Sequence, residues 1–231
     1  MDADTPIPPP RTFGTVPDLA LQRQFPTAHR ERKPFEFYPA LPATVTGDLL
    51  EIGPGRGDFL LAEAAAHPER RFVAIEIGRK RHLRLIRRIE RRELCNVLLI
   101  CGDARLVIPR HLPDRSFPAV VVLFPDPWPK RRHAFHRLLQ PDFLRELARV
   151  LTPGGHMYLK SDVAEYVEWV ARQVVGISEF RIVDDRWPWG PVRGQDGKTL
   201  SLFAERQSAL GYGIHSLCLE RVPSGAAPER S

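Results

Sequence analysis

Cysteine is scarce. The chain has three among 231 residues, Cys95, Cys101 and Cys218. An odd count without C-x-x-C spacing argues against both a disulfide framework and a cysteine-based zinc site. Cys101 and Cys218 lie in apolar, strand-like runs and read as small core residues. Long hydrophobic runs are missing too: no apolar stretch reaches the ~18 residues of a membrane helix. The N-terminus lacks the basic-then-apolar pattern of a secretory signal, so a cytoplasmic location is expected. Acid is in deficit, with 28 Asp and Glu against 34 Lys and Arg and a formal charge of +6. That surplus points to an anionic partner, nucleic acid first, although a generally basic proteome would give the same figure. No metal, membrane or internal repeat is indicated.

Proline is plentiful and unevenly spread. Residues 1–46 contain Pro6, Pro8, Pro9, Pro10, Pro17, Pro26, Pro34, Pro39 and Pro42 and show no clean period. They read as an irregular N-terminal arm, either an RNA-contacting or lid segment or a plain tail. The domain proper is expected over 47–222, and 223–231 as a C-terminal tail. Within the domain, strands are predicted at Leu49–Ile52, Phe72–Glu76, Val97–Cys101, Ala119–Phe124, His156–Lys160, Phe180–Val183 and Ile214–Glu220. Helices are predicted at Phe59–Ala66, Arg79–Glu93, Ala104–His111, Asp142–Leu151, Val163–Val175 and Leu200–Leu210, with a loop over 184–198. Pro141 before the fourth helix and Gly154-Gly155 after it follow the usual asymmetry of helix ends. Such alternation predicts an α/β fold, a Rossmann-like, seven-stranded, mostly parallel sheet with helices on both faces.

The most informative stretch is Val120-Val-Val-Leu-Phe-Pro-Asp-Pro-Trp-Pro-Lys-Arg-Arg-His133. It starts as a buried strand and breaks at Pro125, Pro127 and Pro129, which can continue neither a strand nor a helix interior. A stiff loop at the carboxyl end of a strand lies on the ligand-binding edge of an open α/β sheet. Asp126, Trp128, Lys130, Arg131 and Arg132 there suit a flat polar base beside a phosphate backbone. A rigid surface turn anchored by Trp128 is the plainer reading. Trp128 is open to two roles, stacking on a base or anchoring the loop.

The first strand runs into Glu51-Ile-Gly53-Pro-Gly55-Arg-Gly57. The spacing is G-x-G-x-G rather than the G-x-G-x-x-G of dinucleotide folds. Glu51 would repel a pyrophosphate but suits the ammonium and sulfonium groups of S-adenosylmethionine. Glu76, closing the second strand, can accept both ribose hydroxyls. Asp103, in Cys101-Gly-Asp-Ala104, can accept from an adenine amino group, or simply cap the following helix. Three acids at the ends of three successive strands point together to an S-adenosylmethionine site that includes Gly53, Gly55 and Ala104.

Taken together, these segments resemble the bacterial tRNA (guanine-N7)-methyltransferases. The marks are Glu51–Gly57, Ile75-Glu76, Gly102-Asp103-Ala104 and, most specifically, Phe124–His133 with Arg137-Leu138. The resemblance covers roughly 47–221. It implies a class I methyltransferase fold, S-adenosylmethionine as cofactor, and methylation of guanosine 46 in the variable loop of tRNA by a monomer or homodimer. Asp126 falls on the presumed catalytic position and also among the cofactor-site acids; Lys130 and Asp162 fall on substrate positions. One departure stands out. Where the family shows Thr-x-Tyr-Glu, this chain has Ser201-Leu-Phe203-Ala204. Ser201 keeps the hydroxyl and Glu205 supplies a neighbouring carboxylate, but one helical step rotates it by a quarter turn or more.

The cationic helix with Arg79, Lys80, Arg81, Arg84, Arg87, Arg88, Arg91 and Arg92 reads either as a phosphate grip or as a solvated face. Two rivals stand beside the expected activity. One is a methyltransferase of the same fold acting on another RNA or a small molecule. The other is a catalytically weak tRNA-binding protein, disfavoured by the intact Glu51, Glu76, Asp103 and Asp126.

Overall fold

The computed structural model describes residues 45–183 and 213–223. The proline-rich arm, the loop over 184–198, the helix expected at 200–210 and the tail lie wholly or almost wholly outside them. The described chain runs β1 (Leu49–Ile52), α1 (Asp58–Ala66), β2 (Phe72–Glu76), α2 (Arg79–Arg91), β3 (Val97–Cys101), α3 (Ala104–His111) and β4 (Phe117–Leu123). A short 3-10 helix (Arg131–His136) follows, then α4 (Pro141–Val150), β5 (Leu151–Ser161), α5 (Ala164–Val174), β6 (Phe180–Val183) and β7 (His215–Arg221).

The seven strands form one sheet in the order β3-β2-β1-β4-β5-β7-β6. All pairs from β3 to β5 are parallel, and β7 runs antiparallel between β5 and β6. Every residue of β1, β2 and β3 is buried, as expected of parallel strands covered on both faces. The two-residue alternation sorts their side chains. Leu50, Ile52, Val73 and Ile75 pack on one face with Val107, Leu144, Leu147 and Val170 from α3, α4 and α5. Leu49, Phe72, Ala74 and Leu99 pack on the other with Leu60, Leu61, Leu85 and Ile89 from α1 and α2. Cys101 and Cys218 are buried and Cys95 is exposed.

Two strand starts differ most from expectation, and one element was not expected. Strand β5 begins at Leu151, immediately after α4, rather than at His156. Phe117 pairs with Leu151 and Ala119 with His156, a register shift that absorbs Pro153-Gly154-Gly155 as an irregularity in the strand pairing. Strand β4 starts two residues earlier than expected, at Phe117. The 3-10 helix was not legible, because no residue in it is buried and so no apolar period marks it.

Chain direction across the sheet reverses at β1. From β1 the chain builds outward through β2 and β3, then returns to place β4 on the other side of β1. The crevice outside the carboxyl ends of β1 and β4 is where such folds place their ligands.

Candidate active site

A cavity of about 630 Å³ opens at that switch point. The carboxyl ends of β1 and β2 and the turns after β3 and β4 each bring one acid to its wall: Glu51, Glu76, Asp103 and Asp126. Gly53, Gly55 and Ala104 line it as well. All seven residues expected at the cofactor therefore converge on one cavity. Lys130 is exposed beyond the loop and Asp162 lies half-buried after β5; neither lines the cavity. Ser201 and Glu205 fall outside the described residues.

Glu51 is 2% exposed, and its Oε2 has no hydrogen-bond partner among the described residues. Burial, reinforced by the negative charges of Glu63, Glu76 and Asp58, pushes its carboxyl up to about 8. A buried carboxylate in this position is stabilised by a cation brought to it. The ammonium and sulfonium of S-adenosylmethionine answer that need, whereas a pyrophosphate would add to the repulsion. The turn beside it is open at the backbone. Gly53 has φ +72°, and a Cβ built on it would meet nothing within 4 Å among the described residues. A ligand can approach the main chain there. Gly57, also at φ +72°, serves packing instead: a Cβ added there would collide with the Leu85 side chain.

Glu76 is clasped. The Gly55 amide donates to its Oε2 at 3.1 Å, and the Gly78 amide and Arg81 Nε donate to its Oε1 at 2.5 and 3.1 Å. These bonds fix the carboxylate at the end of β2, facing the glycine turn. Asp103 does cap α3, its Oδ1 accepting from the Arg105 amide at 2.9 Å. It also lines the cavity, so the two readings of this residue are compatible. The Arg105 guanidinium lies across the same carboxylate, with Nη2 2.6 Å from Oδ2.

Asp126 stands exposed at the cavity mouth, between Pro125 and Pro127. Its loop is pinned at both ends. The Phe124 amide donates to the Lys160 carbonyl at 2.8 Å. Arg137 Nε donates to the Pro127 carbonyl at 2.9 Å and Nη2 to that of Trp128 at 3.3 Å. Phe124 and Trp128 take left-handed φ values of 50° and 43°, which cost a non-glycine residue free energy and persist only when the surroundings hold them. Trp128 is 37% exposed and its ring lies 4.8 Å from that of His136.

Sequence reasoning missed His136 as a cavity residue, along with Arg105. Arg105 was recoverable in principle, since it follows Asp103 by two positions. His136 reaches the site through the 3-10 turn, for which no signal existed. The cationic helix divides. Arg81 serves Glu76, and Arg88 holds the glycine turn through the Arg56 carbonyl and, at 2.8 Å, Asp58. Lys80, Arg84, Arg87 and Arg92 remain on its exposed face. Among the described residues no group of side chains could hold a metal ion, and no helix is long and apolar enough to cross a membrane.

Fold, switch-point cavity and acid set define a class I S-adenosylmethionine-dependent methyltransferase. The family described as "Putative methyltransferase" matches residues 46–216. A tRNA (guanine-N(7)-)-methyltransferase of Nitrosomonas eutropha is 37% identical over 174 residues, 75% of this chain and 76% of that protein. One of Alkalilimnicola ehrlichii is 45% identical over 120 residues, 52% of this chain and 51% of that protein, so that match spans about half of either. Among solved structures, the 16S rRNA methyltransferase KamB superposes with a TM-score of 0.55 at 18% identity, covering 76% of this chain and 87% of that one. That likeness concerns the fold alone. The chain belongs to the bacterial tRNA (guanine-N7)-methyltransferase family.

Proposed function

We propose that this protein transfers a methyl group from S-adenosylmethionine to N7 of a tRNA guanosine, the variable-loop guanosine 46. One observation carries the reading beyond family membership. The cavity has a buried carboxylate, Glu51, whose Oε2 has no partner among the described residues, and an exposed one, Asp126. The first suits a cationic cofactor and the second a neutral base that donates hydrogen bonds.

S-adenosylmethionine supplies a methyl group activated by its sulfonium, and guanine N7 takes it through an in-plane lone pair that carries no proton at neutral pH. No residue is therefore required to deprotonate the nucleophile. The chain's task is orientation, which can lower a barrier by up to ~7–11 kcal/mol. Asp126 accepts from guanine N1–H and the exocyclic amine and turns N7 toward the cofactor end. Such a pairing is worth ~1–3 kcal/mol of discrimination by analogy with base readout in grooves. Gly53 and Gly55 admit the cofactor to the backbone; Glu76 and Asp103 take its ribose and adenine. Lys130, Asp162, Ser201 and Glu205 complete the substrate side. The arm (1–46), the catalytic domain (47–222) and the tail (223–231) divide the chain.

The test is methyl transfer from labelled S-adenosylmethionine into unmodified tRNA, followed by chemical cleavage at 7-methylguanosine. Cleavage in the variable loop is expected. Cofactor binding without transfer to any tRNA would move the substrate elsewhere. Asp126→Ala is expected to abolish transfer while leaving the fold intact, and near-normal turnover would remove Asp126 from the reaction.

A further inference from the structure

The 3-10 helix Arg131–His136 contains no buried residue, yet it carries ordered rings. Phe135 is 69% exposed. Its ring centroid lies 3.9 Å from that of His136, tilted by 39°. His136 in turn lies 4.8 Å from Trp128, tilted by 38°, and His133 meets Trp128 edge-on at 5.9 Å. The three rings step outward: Trp128 and His136 line the cavity, and Phe135 stands beyond its rim. Arg137 holds the Trp128 end through that residue's carbonyl.

Core packing does not explain this array. A phenylalanine left mostly in water is held in place only by its neighbours, which is the arrangement of a surface meant to be covered. The charge around it says by what. Lys130, Arg131 and Arg132 are exposed beside the rings, and no acid occurs from Lys130 to Arg137. Flat π-faces interleaved with cations match single-stranded nucleic acid, which presents stackable bases and phosphates together.

We propose that Phe135, His136 and Trp128 form a stacking platform for an unpaired RNA nucleotide that neighbours the methylated guanosine. The proposal rests on the reading of tRNA as substrate. Phe135 stacks the neighbouring base outside the cavity, Trp128 and His136 continue the stack to its mouth, and Lys130–Arg132 take the flanking phosphates. A base held one step from the target fixes the backbone that delivers the target to Asp126.

The experiment uses the full chain, unmodified tRNA, and the same tRNA with 2-aminopurine beside the target guanosine. Phe135→Ala is expected to raise KM for tRNA by roughly 5- to 100-fold, the range for loss of one base–aromatic stack. It is expected to abolish the quenching of 2-aminopurine on binding and to leave cofactor affinity unchanged. Phe135→Trp is expected to restore both RNA readouts. If wild-type enzyme methylates tRNA and Phe135→Ala does so equally well, the platform is wrong while the substrate stands. If Phe135→Ala instead dissociates a dimer in sedimentation, the rings are a protein interface and the proposal falls. If wild-type enzyme neither binds nor methylates tRNA, the substrate reading itself fails and the platform with it.

Discussion

The guanidinium of Arg137 lies 4.7 Å from the centre of the Trp169 ring. Trp169 belongs to α5, whereas the carbonyls to which Arg137 donates belong to Pro127 and Trp128. Tyr166, on the same helix and 1% exposed, offers a second ring 5.8 Å away. One side chain thus couples the Asp126 loop to a buried tyrosine and a half-buried tryptophan. A loop with two strained φ values depends on such a coupling to keep its conformation.

Arg137→Lys keeps the charge but loses the planar fork and most of the ring contact. Displacing a positioned group by an ångström can cost ~100-fold in rate. Methyl transfer is therefore expected to fall in kcat by roughly 10- to 100-fold, with cofactor affinity and thermal midpoint nearly unchanged. Equal losses in cofactor affinity and stability would show a general structural role instead. The check is steady-state kinetics beside cofactor titration and a melting curve.

Glu51 ties affinity to pH. Its carboxyl is raised to about 8 by burial and by neighbouring acids, and that of Glu63 to about 7 by burial. The folded state holds these protons more tightly than the unfolded chain does. Stability is therefore full at low pH and is lost as pH rises from the ordinary carboxylate range through 7 and 8. Glu51→Gln removes the larger of the two effects. It is expected to be more stable than wild type at pH 8.5, by on the order of a few kcal/mol, with the difference vanishing below about pH 4.5. The same variant is expected to bind S-adenosylmethionine more weakly. In the wild type a cation at Glu51 favours the ionised form, so binding at pH 7 expels a proton. Calorimetry in two buffers of unlike ionisation heat counts it, and a count of zero would refute the pairing.

Much of this was legible beforehand, for physical reasons. The buried parallel strands announce themselves as short apolar runs, and the acids at or just past the ends of β1, β2 and β3 are placed by those runs. The acids at the strand ends, which line one cavity, were therefore legible by position alone. The three prolines around Asp126 likewise marked a loop. What was hidden depends on side chains that meet across large sequence separations. The clasp of Arg137 on the Pro127 carbonyl, the place of His136 on the cavity wall and the tie of Arg88 to Asp58 have no local period to reveal them. The Pro153-Gly154-Gly155 stretch misled because it reads as a helix stop followed by a loop. In the sheet it is an irregularity within β5, where a register shift accommodates it.

Arg105 would compete with a ligand for the carboxylate oxygens of Asp103. Asp103 is 3% exposed at its side chain and Arg105 48%, and both carboxylate oxygens receive the guanidinium. Removing the arginine leaves the capping bond from the Arg105 amide and frees acceptor capacity toward the cavity. Arg105→Ala is expected to tighten cofactor binding a few-fold and to lower stability by about 1 kcal/mol or less, since the pair is half open to solvent. Asp103→Ala is expected to weaken binding. Parallel titrations of the two variants decide the point: if Arg105→Ala weakens binding as well, the arginine itself is part of the cofactor site.

Gly53 and Gly57 share a left-handed φ of +72° but differ in what surrounds them. A left-handed backbone costs an alanine about 1–2 kcal/mol at either position. At Gly57 the new methyl would also collide with Leu85 of α2, where overpacking adds about 1–3 kcal/mol. At Gly53 it would stand in the open cavity and collide with nothing among the described residues. Gly57→Ala is therefore expected to lose more stability than Gly53→Ala. Gly53→Ala is expected to lose cofactor affinity out of proportion to its modest destabilisation, because the methyl occupies the space through which a ligand reaches the backbone. Denaturant unfolding and cofactor titration on the two single variants separate packing from approach. Equal cofactor affinity in Gly53→Ala and wild type would place the ligand away from this turn.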